Sequence, residues 1–256
     1  MAGAQALREN AMNVDWAYNW SIEPNHDVNE ANFEFVPMIW SANTGGIQGQ
    51  INRVLDLENN YGFQVDHVLG FNEPERTNQA NMSVTQAINV WDIMTDSFSG
   101  TGIELVSPAV SGASGLNWLE EFMDEVDLRN TDSDANNDLQ VDAVAYHWYG
   151  GTNSASGAAN NLINNVDNLY NDYGRPVWIT EFAGVDFSGN KTAAELQQFN
   201  EEFLEIVIPA FEARSYVERY AWWQFGIAGK EYAQLSTSSN DAFTPTGVGE
   251  VYSGTT

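Results

Sequence analysis

Short apolar runs recur along the chain, and longer stretches with helical spacing of apolar residues separate most of them. The runs are rich in β-branched and aromatic side chains and do not alternate strictly between apolar and polar, which is typical of strands buried on both faces. They cover 14–20, 33–40, 67–71, 103–108, 141–148, 176–182 and 217–225. The pattern therefore predicts seven buried strands.

The stretches between the runs predict helices. They cover 47–60, 85–98, 116–126, 157–170 and 193–213. Ser83 and Gln86 have the spacing of a capping box, which opens the second of these helices. Repeated strand–helix units favour a parallel sheet with crossover helices, and the predicted fold class is α/β, a TIM (β/α)8-type barrel. A doubly wound open sheet is the alternative, but it would prefer a Gly-rich phosphate loop after the first strand, and none is present.

Polar residues follow the predicted strands at their C-terminal ends. They are Asn72, Glu73, His147, Glu181 and Gln224. In a barrel this end is the catalytic face, and the length of 256 residues suits one barrel. No linker or internal repeat is evident, so we expect a single catalytic domain over 1–256.

Glu73 and Glu181 each end an apolar run and have apolar and aromatic neighbours in sequence. Glycoside cleavage needs such a pair: one carboxyl donates a proton to the leaving oxygen, and the other stays ionised and attacks the anomeric carbon. A single glutamate at a strand end more often caps a helix or pairs with an arginine. Two glutamates in these contexts favour glycoside hydrolysis.

The charge balance narrows the classes of partner. The net charge is −27, with 36 acidic and nine basic residues. Such a surface repels nucleic acid and anionic lipid, so neither partner is expected. The acidic surface is typical either of a protein that functions at high salt or of an acidic secreted protein. No cysteine and no long apolar run is present, so we expect no disulfide and no membrane span.

Aromatic residues late in their strands are candidates for stacking on sugar rings, because glucose presents C–H groups to an aromatic face. The candidates are Trp20, Trp40 and Trp148, with Trp222 as a further contact, whereas Trp16 is expected in the core. Glu75 and Glu23 are interpreted as solvated acids or minor sugar contacts. Glu34 and Glu104 lie early in strands and are expected to be structural.

A weak calcium pattern lies within 130–140. Asp132, Asp134, Asn136 and Asp138 have the alternate spacing of a calcium loop, but position twelve is Ala143 and offers no carboxylate. An acidic solvated loop is the preferred interpretation. No zinc-binding histidine pair or phosphate loop is present, and we expect neither a metal nor a cofactor.

Several motifs, taken together, resemble glycoside hydrolase family 128, a family of endo-β-1,3-glucanases within the retaining β-glycosidase clan A. They are WAYNW, FVPMIW, LGFNEPE, SPA, WLEEF, AYHWYG, VWITEFA, VERYAWW and FTPTGVGEVY, which follow one another over nearly the whole chain. The resemblance implies Glu73 as acid/base and Glu181 as nucleophile. It also implies that Asn72 bonds the sugar 2-hydroxyl and that His147 and Tyr149 line the rim near the nucleophile, where Tyr149 could orient Glu181. For His147 a satisfied core histidine is the alternative.

The leading hypothesis is thus a retaining endo-β-1,3-glucanase that acts on β-glucan oligo- or polysaccharide. A clan-related β-1,4-glycanase, on mannan, xylan or mixed-linkage glucan, uses the same two glutamates and stays open. A non-catalytic glycan-binding barrel is the third hypothesis, and the two intact glutamates argue against it. We expect a secreted protein whose signal lies outside this chain, because the first residues lack an apolar signal segment.

The strand count predicts a gap. In the clan the acid/base ends strand four, whereas Glu73 ends the third run here, so the first barrel strand is expected to be missing. Residues 2–12 suit the helix after such a strand. The open edges at 14–20 and 217–225 would then need a cover: the segment 231–240, the N-terminal residues or a second chain. Otherwise the barrel closes with seven strands, and without a second chain we expect a monomer.

Overall fold

The computed structural model describes residues 14–24, 33–42, 46–134, 137–151, 153–223, 233–239 and 242–254. The strands are β1 Trp16–Ala17, β2 Glu34–Phe35, β3 His67–Leu69, β4 Glu104–Val106, β5 Val110–Ser111, β6 Val144–Gly150, β7 Val177–Gly184, β8 Val217–Trp222, β9 Ser236–Ser239 and β10 Ala242–Pro245. The helices are α1 Ile47–Leu55, α2 Leu57–Tyr61, α3 Val84–Phe98, α4 Gly112–Asn130, α5 Ala155–Tyr173, α6 Ala193–Glu212 and α7 Gly247–Ser253. Each of the seven apolar runs contains a strand, and each predicted helix is present.

The chain divides into two compact units. The Glu73 unit comprises Trp16–Asn25 and Glu34–His147, and the Glu181 unit comprises Met1–Asp15, His26–Phe33 and Trp148–Thr256, each as far as its residues are described. The boundary falls inside β6, so His147 belongs to the first unit and Tyr149 to the second. The single domain expected over 1–256 stays a prediction.

Consecutive strands of the Glu73 unit lie side by side in parallel. β1 pairs with β2, β3 with β4, and β5 with the first part of β6. Isolated parallel bridges join Met38 to Leu69 and Val106 to Ala143, which link β2 to β3 and β4 to β6. The order of the strands along the chain is therefore kept in space, as repeated strand–helix units require.

Three of these strands share a polar contact near their first residues. His67 Nδ1 lies 2.8 Å from Glu34 Oε1, and His67 Nε2 lies 3.5 Å from Glu104 Oε2. The two glutamates come from β2 and β4, on either side of β3. This placement fits the structural role expected for Glu34 and Glu104.

The end of β3 is fixed by a buried tryptophan. A Cβ atom at Gly70 would lie 2.7 Å from the Trp91 ring and 2.9 Å from the Pro108 nitrogen, so only glycine fits without a shift. Trp91 on α3 is fully buried and donates from Nε1 to the Gln140 carbonyl at 2.8 Å. This packing sets the path of the chain into Asn72 and Glu73.

In the Glu181 unit, β7 and β8 are parallel and β9 and β10 are antiparallel. All eight residues of β7 are buried. Helix α5 packs against α6, and α6 against α7. Asn200 on α6 is buried and bonds both backbone groups of Gly184: its Oδ1 accepts from the nitrogen at 3.0 Å, and its Nδ2 donates to the oxygen at 3.3 Å. The last residue of β7 is thus tied to the helix that covers it.

Helix starts follow the sequence signals. Ser83 accepts from the Gln86 nitrogen, and the Gln86 side chain accepts from the Ser83 nitrogen, which confirms the predicted capping box of α3. Thr192 and Glu195 form a second capping box at α6. Each box satisfies N–H groups that the first turn of a helix leaves without a partner.

The parallel α/β fold expected from the sequence is confirmed. Closure into a barrel, and the expected absence of a first strand, stay predictions, because residues 1–13, 224–232 and 240–241 lie outside the described part of the chain. Residues 2–12, which the sequence predicts as a helix, also lie outside the described residues. Among the described helices, none is long and apolar enough to cross a membrane.

Candidate active site

Glu73 is held in an unusual backbone conformation directly after β3. Its φ is +43°, in the left-handed region that costs a non-glycine residue about 1–3 kcal/mol. The Glu73 nitrogen donates to the Ala109 carbonyl at 2.7 Å, and the Asn72 nitrogen donates to the Trp40 carbonyl at 3.0 Å. These bonds from two neighbouring strand ends keep the strained residue in place. Strain of this kind is characteristic of functional sites.

Two basic side chains contact the carboxyl of Glu73, a residue that is 5% exposed. His147 Nδ1 lies 3.2 Å from Oε1, and Arg76 Nε lies 3.4 Å from Oε2. Burial raises the pKa of Glu73, but the His147 hydrogen bond and the charges of His147 and Arg76 outweigh it, so the pKa lies below its ordinary value. The sequence placed His147 near the nucleophile; within its own unit it contacts the other glutamate, Glu73.

Asn72 precedes the acid and is also buried, at 4% exposure. Its Nδ2 donates to Gln79 Oε1 at 3.2 Å. Its Oδ1 has no hydrogen-bond partner among the described residues. A buried amide oxygen without a partner is costly, so a hydroxyl group from a ligand would be a favourable addition here.

Glu181 lies within β7, in the stretch between Ile179 and Phe182 where the register against β8 shifts, and it is 5% exposed. The Tyr149 hydroxyl donates a hydrogen bond to Glu181 Oε2, the contact suggested from the sequence. The Tyr149 ring meets Trp223 edge-on, with ring centroids 5.7 Å apart. A phenol held by an aromatic neighbour fixes the position of one oxygen of the Glu181 carboxyl group.

Trp20 and Trp40 are both partly exposed, and their stacking on sugar stays a prediction. Trp20 is 40% exposed, has a φ of +56° and lies 5.1 Å from the Tyr18 ring. Trp40 is half-buried and follows β2. Trp16, expected in the core, is only half-buried and stacks on Tyr18 at 5.8 Å.

Trp148 and Trp222 are placed differently, and this argues against the predicted stacking on sugar. Trp148 is 4% exposed, stacks on Phe203 of α6 at 5.1 Å and donates from Nε1 to Asn161 of α5 at 2.9 Å. Trp222 is 6% exposed and donates from Nε1 to the Ala233 carbonyl at 2.7 Å. Alternation along each strand turns both indoles into the packed interior. Gln224, expected at the rim, lies outside the described residues.

Glu75 is not the solvated acid that the sequence suggested. Its side chain is 6% exposed, and its Oε1 accepts hydrogen bonds from the Ser111 nitrogen at 2.9 Å and from the Ser111 hydroxyl at 3.1 Å. Arg76 Nε lies 3.8 Å from the same oxygen. Glu23, the other acid so interpreted, forms a two-bond ion pair with Arg53.

The weak calcium pattern is not supported by its described residues. Asp132 accepts from the Asp134 nitrogen at 2.6 Å and from the Asn137 side chain at 3.2 Å. The described carboxylates Asp132, Asp134 and Asp138 do not bring oxygens together within 4.8 Å. Asn136 lies outside the described residues. In the described part of this stretch, N–H groups of the turn itself donate to the Asp132 carboxylate.

Three comparisons with known proteins bear on this site. The family model of the glycosyl hydrolase catalytic core matches residues 1–252. Alkali-sensitive linkage protein 1 of Schizosaccharomyces pombe is 31% identical over 193 residues, which are 72% of this chain and 32% of that protein. The chain thus spans about a third of the length of that relative.

Solved structures agree with the family match. A family GH128 (subgroup I) endo-β-1,3-glucanase from Amycolatopsis mediterranei, in complex with laminaritriose, has a TM-score of 0.75 and 31% identity, over 99% of this chain and 95% of that one. A GH128 (subgroup III) curdlan-specific exo-β-1,3-glucanase from Blastomyces gilchristii, in complex with glucose, has a TM-score of 0.72 and 27% identity, over 99% and 95% of the two chains. The resemblance drawn from the sequence motifs is confirmed. This chain belongs to the glycosyl hydrolase catalytic core family and is a glycoside hydrolase.

Proposed function

We propose that the chain is a retaining endo-β-1,3-glucanase, with Glu73 as acid/base and Glu181 as nucleophile. The observation that carries the proposal is the contrast between two buried glutamates, one shortly after β3 and one within β7. Glu73 contacts Arg76 and His147, which can stabilise or exchange charge with it, and Glu181 accepts a hydrogen bond from the Tyr149 hydroxyl. These are the two environments that double displacement at an anomeric carbon needs.

In the first step, protonated Glu73 donates its proton to the glycosidic oxygen while Glu181 attacks the anomeric carbon. The bond to the leaving sugar breaks, and a covalent glycosyl–enzyme ester forms on Glu181. In the second step, Glu73 removes a proton from water, whose oxygen displaces Glu181 and restores the original configuration. The two carboxyls supply proton transfer and the nucleophile, so the proposed reaction needs no cofactor.

Glu73 must carry a proton when the glucan is bound, although its pKa is below the ordinary value in the free protein. A bound sugar would exclude water from the carboxyl, and desolvation raises the pKa of a carboxylic acid. Activity on polymer should fall as the pH rises through the pKa of Glu73, because the deprotonated form cannot assist the leaving group. The proposal therefore implies an acidic pH optimum.

Sugar contacts are proposed for the residues whose placement permits them. Asn72 would accept a hydrogen bond from the 2-hydroxyl of the sugar, since its oxygen lacks a partner among the described residues. Trp20 and Trp40 would stack on glucose rings. His147 and Tyr149 act through the two glutamates, and Trp148 and Trp222 are left out because of their burial.

The substrate is tested by incubation with laminarin, curdlan, cellulose, mannan and xylan, followed by reducing-sugar release. We expect cleavage of the β-1,3-glucans. Cleavage of only β-1,4-linked polymers would favour the second clan activity, and binding without release would favour a glycan-binding protein. Product sizes separate endo from exo action, which matters because the Blastomyces relative is an exo-enzyme. Early mixed oligosaccharides support endo action, and glucose alone contradicts it.

Closure of the strands into a barrel, a monomeric state and secretion are part of the same proposal. Sedimentation of the purified chain tests the monomer.

From the net charge of −27 we also propose that the protein is adapted to high salt, because dissolved ions weaken the repulsion between surface carboxylates. The melting temperature should then rise with KCl up to molar concentrations, and a flat or falling curve would contradict this adaptation.

A further inference from the structure

Glu75 lies two residues after the proposed acid/base. It is as buried as Glu73, at 6% against 7% side-chain exposure, yet the reaction gives it no role. Its Oε1 accepts two hydrogen bonds from Ser111, and its Oε2 is buried without a hydrogen-bond partner among the described residues. Burial of an ionised carboxylate costs free energy of folding unless the charge is paired or hydrogen-bonded.

Ser111 connects Glu75 to Arg76. Arg76 Nε donates to the Ser111 hydroxyl at 2.8 Å, and that hydroxyl donates to Glu75 Oε1 at 3.1 Å. Ser111 is also the N-cap residue of α4, but its side chain makes no cap bond to that helix. Serine is a favoured N-cap because its oxygen normally accepts from the first turn. Here that oxygen serves the Glu75–Arg76 pair instead.

The fold reserves space for this carboxylate. A Cβ atom at Gly115, in the first turn of α4, would lie 2.9 Å from Glu75 Oε1. Glu75 therefore rests against the start of a 19-residue helix, where backbone N–H groups and the helix dipole favour a negative charge. The hydrogen-bond donors, the missing side chain at position 115 and the helix start all suit an anion at this point.

Arg76 is shared by the two glutamates. Its Nε lies 3.4 Å from Glu73 Oε2 and 3.8 Å from Glu75 Oε1. Within the Glu73 unit, the other charged or titratable group in contact with Glu73 is His147 of β6. The start of α4 contributes Ser111 and Gly115, which carry no charge. Glu75 thus offsets the positive charge that would otherwise act on Glu73 alone.

We propose that Glu75 is a positioning residue for the acid/base: its buried carboxylate holds Arg76 through Ser111 and divides the arginine's charge between two glutamates. This keeps a proton available on Glu73 for the leaving oxygen. The inference rests on the proposed acid/base role of Glu73. Arg76 is 48% exposed, so solvent weakens its field, and the coupling is expected to be moderate.

The test compares pH profiles of kcat/KM on laminarin for the wild-type protein and Glu75→Gln. Glutamine keeps the shape and the acceptor but removes the charge, so the anionic form of Glu73 becomes more favourable. The limb on which activity falls with rising pH should move to lower pH by about 0.5–1 unit. Glu75→Asp keeps the charge and should leave the limb near the wild-type position. A limb that stays or moves upward in Glu75→Gln overturns the inference.

Asp142→Asn is the matched control. Asp142 is another acid of the Glu73 unit that accepts from a backbone nitrogen, that of Leu105 at 2.6 Å. Its loss should lower the melting temperature without moving the limb. If Glu75→Gln does not fold, Arg76→Gln tests the same coupling with the opposite sign. Its limb should move upward, and an unchanged limb overturns the inference.

A second readout separates failure of this inference from failure of the proposed function. The side-chain carboxyl of Glu73 can be titrated by carbon-13 NMR, with Glu73→Gln used to assign its signal. If the chain cleaves no β-1,3-glucan but Glu75→Gln still lowers the Glu73 midpoint, the proposed function fails and the coupling holds. If the chain is active and the midpoint does not move, the coupling fails alone.

Discussion

The two proposed catalytic glutamates have opposite surroundings. Glu73 has a strained backbone and contacts with an arginine and a histidine, and a second buried carboxylate lies nearby. Glu181 lies within the fully buried strand β7 and accepts a hydrogen bond from the Tyr149 hydroxyl. A group that must gain and lose a proton is tuned by charges, whereas a group that must stay ionised and point in one direction is held by geometry. The difference predicts different responses to substitution.

The largest effect should come from alanine at the two glutamates. Glu181→Ala should end turnover on every substrate, because no ester can form. Glu73→Ala should lose about 10²–10⁴-fold on glucan but little on aryl glucosides whose leaving group needs no proton. Initial rates on laminarin and on a dinitrophenyl laminaribioside measure both.

The same experiment can contradict the roles proposed for Glu73 and Glu181. Equal losses on the two substrates in Glu73→Ala would reverse or void the assignment. Proton NMR of the first product tests retention, since a retaining pair of carboxyls is expected about 5–5.5 Å apart and gives the β-anomer first. An initial α-anomer would show inversion and exclude a glycosyl ester on Glu181.

Tyr149→Phe should have the next largest effect. A hydrogen bond to a charged group contributes about 1.5–3 kcal/mol, so its loss should lower kcat roughly 10–100-fold. KM should change little, because the phenol orients Glu181 and does not bind the sugar in this proposal. Tyr216→Phe is the matched control: that hydroxyl donates to Asp167 at 2.6 Å in the same unit. A normal kcat in Tyr149→Phe would show that Glu181 needs no such support.

Gly115→Ala and Gly157→Ala compare equivalent places in the two units. Both glycines lie in the first turn of a helix, α4 and α5. At Gly115 a Cβ would meet Glu75 and Val110 at 2.9 Å, so alanine should destabilise the protein by about 1–3 kcal/mol. At Gly157 the nearest atom is 3.4 Å away, and alanine should stabilise by about 0.4–1 kcal/mol. Urea unfolding measures both, and a stable Gly115→Ala would contradict the reserved space for Glu75.

The smallest effect concerns the turn after β7. Asp186 accepts from the Ser188 hydroxyl and from the backbone nitrogens of Lys191 and Ser188, and these bonds lower its pKa to about 2. A lowered folded pKa gives stability that is present above the unfolded value and is lost as the pH falls toward 2. Amide exchange at Ser188 and Lys191 should therefore quicken, after correction for intrinsic rates, below about pH 4. Asp186→Asn should remove this pH dependence, and an unchanged profile in the variant would contradict the assignment.

The strands and helices could be predicted because they depend on local pattern. Each apolar run contains a strand, although the runs 14–20 and 217–225 are only partly buried, and the Ser83–Gln86 signal lies within four residues. β5 was missed because two residues give no periodicity. The hairpin of β9 and β10 was missed too, since its serines and threonines resemble a loop.

The sequence could indicate only those candidate site residues that lie within or directly after an apolar run. Glu73, Asn72 and Glu181 follow from their positions after or within apolar runs. Glu75 could not be placed, because its partner Ser111 lies 36 residues away and its space depends on Gly115. The burial of Trp148 could not be predicted for the same reason, because Asn161 and Phe203, which contact it, come from two different helices.

The left-handed backbone at Glu73 has a practical consequence for anyone who wishes to label glucans. Glycine adopts a φ of +43° without steric strain, whereas alanine there keeps the penalty. Glu73→Gly should therefore be more heat-resistant than Glu73→Ala, by roughly 1 kcal/mol, although glycine usually weakens a fold. If Glu181 and the tryptophans proposed to stack on sugar remain in place, the glycine variant is the better starting point for a durable staining reagent that holds polysaccharide and cuts it only slowly.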